Sequence, residues 1–211
     1  MKNYVQIGSN VGNDYFSKLM LELKEKSNIY LFEPNYLLIE ELTKNYQNLS
    51  KIHNVFILNK GIVVDKNIDK LYVYSDNHMG SKNPNYGLTS ILHRKSYNHV
   101  LNTIPMDGIT FKEFLEIYSI KEIELLMIDT EGYDYEILNS IDIDSIDIKE
   151  IVCEHWGHNN DDLESKNINT GDDFLKNTIL PKFQEKYSYN TIHFDEIPND
   201  VFKLISRGAS R

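Results

Sequence analysis

The stretch Tyr4-Val5-Gln6-Ile7-Gly8-Ser9-Asn10-Val11-Gly12 joins a short apolar run to a turn that has a glycine on either side of Asn10. A segment with apolar side chains at helical spacing follows over residues 13–26. A second apolar run, Ile29-Tyr30-Leu31-Phe32, then ends on Glu33. This is the order of a nucleotide-binding βαβ unit, in which small residues let a ligand approach the backbone and the acid receives ribose hydroxyls. The sequence therefore predicts a nucleotide-type ligand at this turn.

Composition and charge narrow the class of protein. The chain has 211 residues, which is enough for one full hydrophobic core, and we expect a single domain over residues 1–211. A formal net charge of -10 repels polyanions, so we expect no nucleic-acid partner. The single cysteine, Cys153, fits a reducing compartment, and no apolar run approaches the roughly 18 residues of a membrane helix. The first strand begins almost at once and leaves no room for a signal peptide. We expect a soluble cytoplasmic protein without membrane association.

Strand and helix signals alternate along the chain, which predicts an α/β fold with a mostly parallel sheet covered by helices. The last two strands are expected to form an antiparallel hairpin, and Pro181 should kink or interrupt the helix before them. Residues 76–98 are polar and lack periodicity, so we expect a long loop that serves as a lid or binding loop. Strands are predicted at residues 3–8, 28–33, 52–58, 70–75, 99–106, 124–129, 148–154, 187–194 and 201–206, and helices at 13–26, 36–49, from Thr110 onward, 133–141 and 172–186.

A second group of acidic residues follows the apolar strand that begins at Glu124. Asp129 and Glu131 stand at its carboxyl end and lead into a helix. Ligands in open parallel sheets bind beyond the carboxyl ends of the strands, so we expect Asp129 and Glu131 to face the same crevice as Gly8 and Glu33. The alternative is that both acids cap the following helix and have no catalytic role.

Five segments occur in an order that resembles FkbM-type methyltransferases, and the similarity runs from about residue 3 to residue 155. The resemblance implies a Rossmann-like class I methyltransferase fold, with seven strands and an antiparallel C-terminal hairpin. It also implies S-adenosyl-L-methionine as cofactor and transfer of a methyl group to hydroxyls of sugars or natural products. The segments are Asn10 between its two glycines, Phe32-Glu33-Pro34-Asn35, Met106-Asp107-Gly108-Ile109-Thr110-Phe111, Ile128-Asp129-Thr130-Glu131-Gly132 and Ile151-Val152-Cys153-Glu154.

The same resemblance implies a set of cofactor-binding residues. One position departs from the family pattern, because Gln6 stands where the family usually has an aspartate. Glutamine can still form hydrogen bonds, but it lacks the charge that would favour the cofactor's ammonium group. The implied cofactor-binding residues are Gln6, Gly8, Ser9, Asn10, Gly12, Glu33, Pro34, Asn35, Ser90 and Asp129.

Methyl transfer to a hydroxyl requires alignment of the acceptor oxygen, exclusion of water and removal of a proton. The candidate bases are Asp129, Glu131, Glu154 and His155. His155 can alternatively be a structural histidine beside Trp156. A hard-cation site that adds His158 to these residues stays a weaker alternative, because no fixed ligand spacing supports it, and we predict no metal.

The acceptor is expected to be a small molecule or a glycan with a free hydroxyl, selected by the polar loops at residues 76–98 and 156–171. The basic run His93-Arg94-Lys95-Ser96 is either a solvated loop or a site for a phosphate, such as that of a nucleotide sugar. Two other functions stay open. A non-catalytic module that binds the cofactor would explain Gln6, whereas a nucleotide-cofactor oxidoreductase is disfavoured by Asn10 at the second glycine position.

Overall fold

The computed structural model describes residues 1–75, 84–93, 100–154, 172–192 and 201–208. Its strands are β1 (Asn3–Ile7), β2 (Asn28–Phe32), β3 (Asn54–Leu58), β4 (Gly61–Ile62), β5 (Lys70–Ser75), β6 (Pro84–Ser90), β7 (Val100–Pro105), β8 (Gly108–Ile109), β9 (Glu122–Ile128), β10 (Asp147–Glu154), β11 (Tyr187–Ile192) and β12 (Val201–Ser206). Its α-helices are α1 (Tyr15–Leu21), α2 (Ile39–Asn45), α3 (Phe111–Tyr118), α4 (Asp134–Ser140), α5 (Asp172–Phe174) and α6 (Leu180–Phe183). Short 3-10 helices span Tyr36–Leu38 and Leu49–Lys51, and a π-helical turn spans Leu175–Ile179.

The central element is a seven-stranded sheet in the order β11-β12-β10-β9-β1-β2-β3. All neighbouring pairs from β10 to β3 are parallel, whereas β12 is antiparallel to both β10 and β11. The predicted α/β class, the mostly parallel seven-stranded sheet and the closing antiparallel hairpin are confirmed. Because parallel strands end at the same edge of the sheet, the turns after β1, β2 and β9 lie next to one another.

The inner strands are buried because helices cover both faces of the sheet, as their almost continuous apolar sequences predict. Val5 and Ile7 of β1 pack into the larger core cluster, which includes Phe114 of α3. Phe16 of α1 belongs to the cluster on the opposite face, together with Leu42 of α2. The central strands are thus held in place from both sides, which fixes the position of the turns that follow them.

The prediction of a loop over residues 76–98 is wrong for Pro84–Ser90, which form strand β6. β6 pairs antiparallel with β5, and β7 pairs with the other side of β5 to complete a separate three-stranded sheet. Gly87 and Pro84 lower the strand propensity of this segment, but proline is tolerated at the first position of an edge strand. Residues 76–83 and 94–98 of the predicted loop lie outside the described residues.

Several helix boundaries differ from the prediction. α1 covers only Tyr15–Leu21 of the predicted 13–26, and residues 36–49 divide into a 3-10 helix and α2. The predicted helix around Pro181 is interrupted, as expected, by the π-helical turn over Leu175–Ile179. The chain widens in this turn, where the backbone N–H of Leu180 donates to the carbonyl of Leu175. No helix among the described residues has the length and apolar character needed to cross a membrane.

Candidate cofactor and active site

A cleft of about 640 Å³, solvent at its mouth included, opens beyond the carboxyl ends of β1, β2 and β9. Apolar residues from several elements form most of its walls, including Ile7, Phe32, Leu38, Ile62, Leu71 and Ile91. The cleft brings together seven of the residues predicted from the sequence, namely Gly8, Asn10, Glu33, Pro34, Ser90, Asp129 and Glu131.

The turn after β1 is built around left-handed backbone conformations. Gly8 has φ +83°, and a Cβ atom there would lie 1.7 Å from the carbonyl oxygen of Asp129. Only glycine therefore allows the turn to pass this close to the end of β9. Asn10 also has a positive φ of 48°, and its Oδ1 accepts a hydrogen bond of 2.7 Å from the backbone N–H of Val11. The turn presents its backbone to the cleft, as the sequence predicts.

Gly12, which was expected beneath the cofactor, instead packs against α2. A Cβ atom at this position would lie 2.5 Å from Cε2 of Tyr46 and 2.6 Å from Cδ1 of Leu42. Gly12 is not part of the cleft wall. Its small size serves the contact between the turn and a helix, so the two glycines of the motif have different roles.

Glu33 connects the turn after β1 to the end of β2. Its Oε2 accepts a hydrogen bond from the backbone N–H of Asn10, and its Oε1 accepts one from the backbone N–H of Asn35, both at 2.7 Å. The side chain is 4% exposed, and burial raises the pKa of the Glu33 carboxyl to about 7 against the opposing effect of the two N–H donors. Each carboxylate oxygen has a second lone pair, so the group can still receive hydroxyls of a ligand.

Asn35 is buried and lies outside the cleft, where its Oδ1 accepts a hydrogen bond of 3.1 Å from the backbone N–H of Leu37. It caps the 3-10 helix that follows β2.

The sequence interpretation did not include Lys60 and Gly61, which line the cleft directly after β3. Their position beyond the carboxyl end of a parallel strand is the signal that would have found them.

The turn after β9 is closed by Asp134, a fully buried residue that the sequence interpretation did not include. Its Oδ1 accepts a hydrogen bond of 3.1 Å from the backbone N–H of Thr130, and its Oδ2 accepts one of 2.9 Å from that of Gly132. Glu131 is held with φ +55° between these two bonds. A non-glycine residue in this conformation is strained, and such strain is concentrated at functional sites.

Ser90 of β6 forms a hydrogen bond that connects the three-stranded sheet to the turn after β9. Its Oγ donates to the carbonyl of Glu131 at 3.0 Å and accepts from the backbone N–H of Leu92 at 3.1 Å. The hydroxyl faces the cleft region but is already engaged in two hydrogen bonds. Its demonstrated contact is therefore to the turn that carries the two candidate acids.

The acidic side chains at the end of β9 perturb one another. Burial, and to a smaller extent the charges of Asp134 and Glu131, raise the pKa of Asp129 to about 8, although a hydrogen bond with the Glu154 side chain opposes the shift. Two carboxyl groups form such a bond only when one of them holds a proton. Asp129 lines the cleft, and Glu154 is buried behind it at the end of β10, outside the cleft wall.

Gln6 and Ser9 are buried beneath the turn and do not line the cleft. Nε2 of Gln6 donates to Oδ2 of Asp14 at 2.6 Å, and Oγ of Ser9 donates to the Gln6 carbonyl at 3.5 Å. The candidate base His155, together with Trp156, His158 and residues 94–96 of the basic run, lies outside the described residues. Within the part of the chain that the structure describes, no set of three His, Cys, Asp or Glu side chains is arranged to hold a metal ion.

The chain is similar to several solved structures. A putative rRNA-methylase from Clostridium thermocellum has 13% identity and a TM-score of 0.50, with 97% of this chain and 86% of that chain covered. Aeropyrum pernix fibrillarin with bound S-adenosyl-L-methionine has 9% identity, a TM-score of 0.49 and coverage of 97% and 66%. M. capricolum TrmK with S-adenosyl-homocysteine has 12% identity, a TM-score of 0.45 and coverage of 98% and 62%.

No curated protein sequence matches the chain. Residues 6–187, in contrast, match the family model described as the methyltransferase FkbM domain. This match confirms the resemblance that the motifs indicate and the expected cofactor, S-adenosyl-L-methionine, and it does not support the oxidoreductase alternative. Since the match extends over most of the 211 residues, the chain belongs to the FkbM methyltransferase family.

Proposed function

We propose that the protein transfers a methyl group from S-adenosyl-L-methionine to a hydroxyl group of a sugar, a glycan or another small-molecule acceptor. The observation that carries this proposal is the Asp129 carboxyl group, which lines the cleft and has a pKa raised to about 8. A hydroxyl group must lose its proton when it is methylated, and a carboxylate with a raised pKa is a stronger base than an ordinary one. When bound, the cofactor supplies an electrophilic methyl group on a sulfonium centre.

The residues of the cleft fit this cofactor. Leu38 and Ile62 provide apolar walls for a flat ring, and the buried Glu33 carboxylate can receive ribose hydroxyls through its remaining lone pairs. The turn at Gly8 allows a ligand to lie against the backbone. Glu131 and the Asp129–Glu154 pair, which shares one proton, supply negative charge at the cleft, and this charge favours a cationic ligand.

Among the candidate bases, the geometry favours Asp129 over the other carboxylates. Glu154 does not line the cleft, but its hydrogen bond with Asp129 lets the pair share a proton. Glu131 also faces the cleft, and Ser90 holds its backbone through the carbonyl oxygen. We assign proton acceptance to Asp129, with Glu131 orienting the acceptor hydroxyl, and His155 stays a prediction of the sequence.

The charge of the protein supports an uncharged acceptor. The net charge is -10, and Glu33, Asp129 and Glu131 all line the cleft, so a polyanion would approach against an unfavourable potential. A hydroxyl of a sugar or glycan carries no such penalty. Because the Clostridium thermocellum structure is titled as a putative rRNA-methylase, RNA belongs among the acceptors that are tested.

The test is a methyl-transfer assay with tritiated S-adenosyl-L-methionine against free sugars, nucleotide sugars, glycans, other hydroxylated small molecules and total RNA. We expect transfer to a hydroxyl oxygen of one of the small acceptors, with the methylated position located by NMR. Asp129→Asn should lower kcat at least 100-fold, in keeping with the roughly 10²–10⁴-fold contribution of a general base. Asp144→Asn, at an exposed loop position, is the matched control and should keep wild-type activity.

Two results would contradict the proposal. Transfer only to RNA or to nitrogen would exclude the proposed acceptor class, and an unchanged kcat in Asp129→Asn would exclude the proposed base. Binding of the cofactor with no turnover on any acceptor would favour the non-catalytic alternative.

A further inference from the structure

Gln6 replaces the aspartate that the family usually has at this position, and the structure shows what accompanies the replacement. The Gln6 side chain is 1% exposed at the end of β1. Its Nε2 donates a short hydrogen bond of 2.6 Å to Oδ2 of Asp14. A carboxylate is therefore present next to position 6, although it comes from a residue eight positions later in the chain.

The carbonyl oxygen of the same amide group, Oε1, is buried and has no hydrogen-bond partner among the described residues. Buried polar atoms are almost always hydrogen-bonded, so an unpaired acceptor indicates a missing donor. Gln6 itself does not line the cleft, but the two residues that follow it, Ile7 and Gly8, do, so this acceptor lies directly behind the cleft wall at the base of the turn after β1.

The negative charge of Asp14 acts on groups of the cleft. It contributes to the raised pKa of Asp129, and it also contributes to the raised pKa of Tyr46, which packs under Gly12. Asp14 therefore lies within electrostatic reach of the cleft wall. The unpaired carbonyl oxygen and the nearby carboxylate are both hydrogen-bond acceptors, and they fit a ligand group that is cationic and only donates.

The cofactor has one such group at the end opposite its ribose, the ammonium of its amino-acid part. We propose that Gln6 and Asp14 act together in place of the usual aspartate: Gln6 holds the Asp14 carboxylate, and the pair attracts this ammonium. The proposal rests on the proposed function, since it concerns the same cofactor. Gln6 and Asp14 are positioning residues in this scheme and take no part in proton transfer.

A purely structural role for Asp14 is the competing explanation. Oδ1 of Asp14 accepts a hydrogen bond of 2.9 Å from the backbone N–H of Ser17 and so caps α1. Asparagine is an equally good cap, so Asp14→Asn removes the charge and keeps the cap. In that variant the Gln6 amide can turn over to accept from the new asparagine, and it then presents an N–H group where it had presented an oxygen.

The experiment measures calorimetric binding of two ligands, S-adenosylhomocysteine and 5′-methylthioadenosine, the second of which lacks the amino-acid part. We expect Asp14→Asn to weaken S-adenosylhomocysteine binding about tenfold, which corresponds to about 1.4 kcal/mol, and to leave 5′-methylthioadenosine binding unchanged. The double variant Gln6→Glu/Asp14→Asn exchanges the carboxylate and the amide across the same hydrogen bond. It should recover S-adenosylhomocysteine affinity to within about threefold of wild type.

The possible outcomes separate this inference from the proposed function. If the wild type binds both ligands and Asp14→Asn weakens both equally or neither, the inference is overturned and the proposed function stands. Failure of the double variant to recover affinity would also overturn it. If the wild type binds neither ligand, the cofactor assignment itself fails, and the inference fails with it.

Discussion

The turn after β1 and the turn after β9 have the same kind of backbone conformation and are stabilised by the same kind of hydrogen bonds. Each contains residues with positive φ, Gly8 and Asn10 in the first and Glu131 and Gly132 in the second. Each is closed by a buried carboxylate that accepts hydrogen bonds from two backbone N–H groups. Glu33 does this for the first turn with Asn10 and Asn35, and Asp134 does it for the second with Thr130 and Gly132.

The two carboxylates differ in where they come from and what they face. Glu33 reaches the first turn from another strand, 23 residues away in sequence, and it lines the cleft. Asp134 belongs to the helix that directly follows its own turn, and it lies outside the cleft. Glu33 can therefore combine a structural role with ligand binding. Asp134 has only a structural role, and the acids of its turn that line the cleft are Asp129 and Glu131.

The contact between the two turns gives the largest expected effect. Gly8→Ala would force a Cβ atom against the Asp129 carbonyl, which belongs to the backbone and cannot move aside. This steric contact adds to the cost of an alanine in the left-handed conformation. We therefore expect the free energy of unfolding, measured by urea denaturation, to fall by about 4 kcal/mol. Gly12→Ala meets side-chain atoms of Tyr46 and Leu42, and we expect a loss of about 2 kcal/mol. An equal or larger loss in Gly12→Ala would show that the two turns are not rigidly packed.

The next effect concerns the pH dependence of stability. Burial raises the pKa of Glu33 from 4.5 to about 7, so the folded state keeps a proton that the unfolded state has released between these values. Stability contributed by this group is present below pH 4.5 and is lost as the pH rises to about 7, by about 3 kcal/mol. Glu33→Gln should remove this part of the slope in unfolding experiments between pH 4.5 and 7.5.

The control for that measurement is Glu40→Gln, which changes an exposed glutamate of α2. Other buried acids, including Asp129, contribute to the wild-type slope, so the decisive quantity is the difference between each variant and the wild type. A Glu33→Gln slope equal to that of the wild type would mean that Glu33 is ionised in the folded protein at all these pH values.

The smallest effect separates the two carboxylates by function. Asp134→Asn and Glu33→Gln each replace one of two acceptor oxygens by a donor, and each should lower the free energy of unfolding by about 1–3 kcal/mol at pH 7. Only Glu33→Gln should also weaken S-adenosylhomocysteine binding, by about tenfold, because Asp134 does not line the cleft. If calorimetry shows the larger loss of affinity in Asp134→Asn, the division of roles between the two turns is wrong.

Much of the fold and part of the site could be predicted from the sequence. Apolar runs located the strands of the central sheet, and the residues after these runs, Gly8, Glu33 and Asp129, do meet in one cleft. Strand β6 could not be predicted, because Pro84 and Gly87 reduce its local strand propensity. The engagement of Ser90 with the Glu131 carbonyl, 41 residues away, has no local signature. The single domain over residues 1–211 and the cytoplasmic location stay predictions.

By itself the sequence determined the strands of the central sheet, the family and the chemical types of the residues at the strand ends, because periodicity and short motifs are local properties of the chain. Only the tertiary structure decided which members of a motif line the cleft. Gly8 touches the end of β9 and lines the cleft, whereas Gly12 packs on α2. It also paired Gln6 with Asp14 and enclosed Asp129 among other carboxyl groups. These roles depend on distances between residues of different segments and on the exclusion of water by their packing. No single segment of the sequence determines either of these.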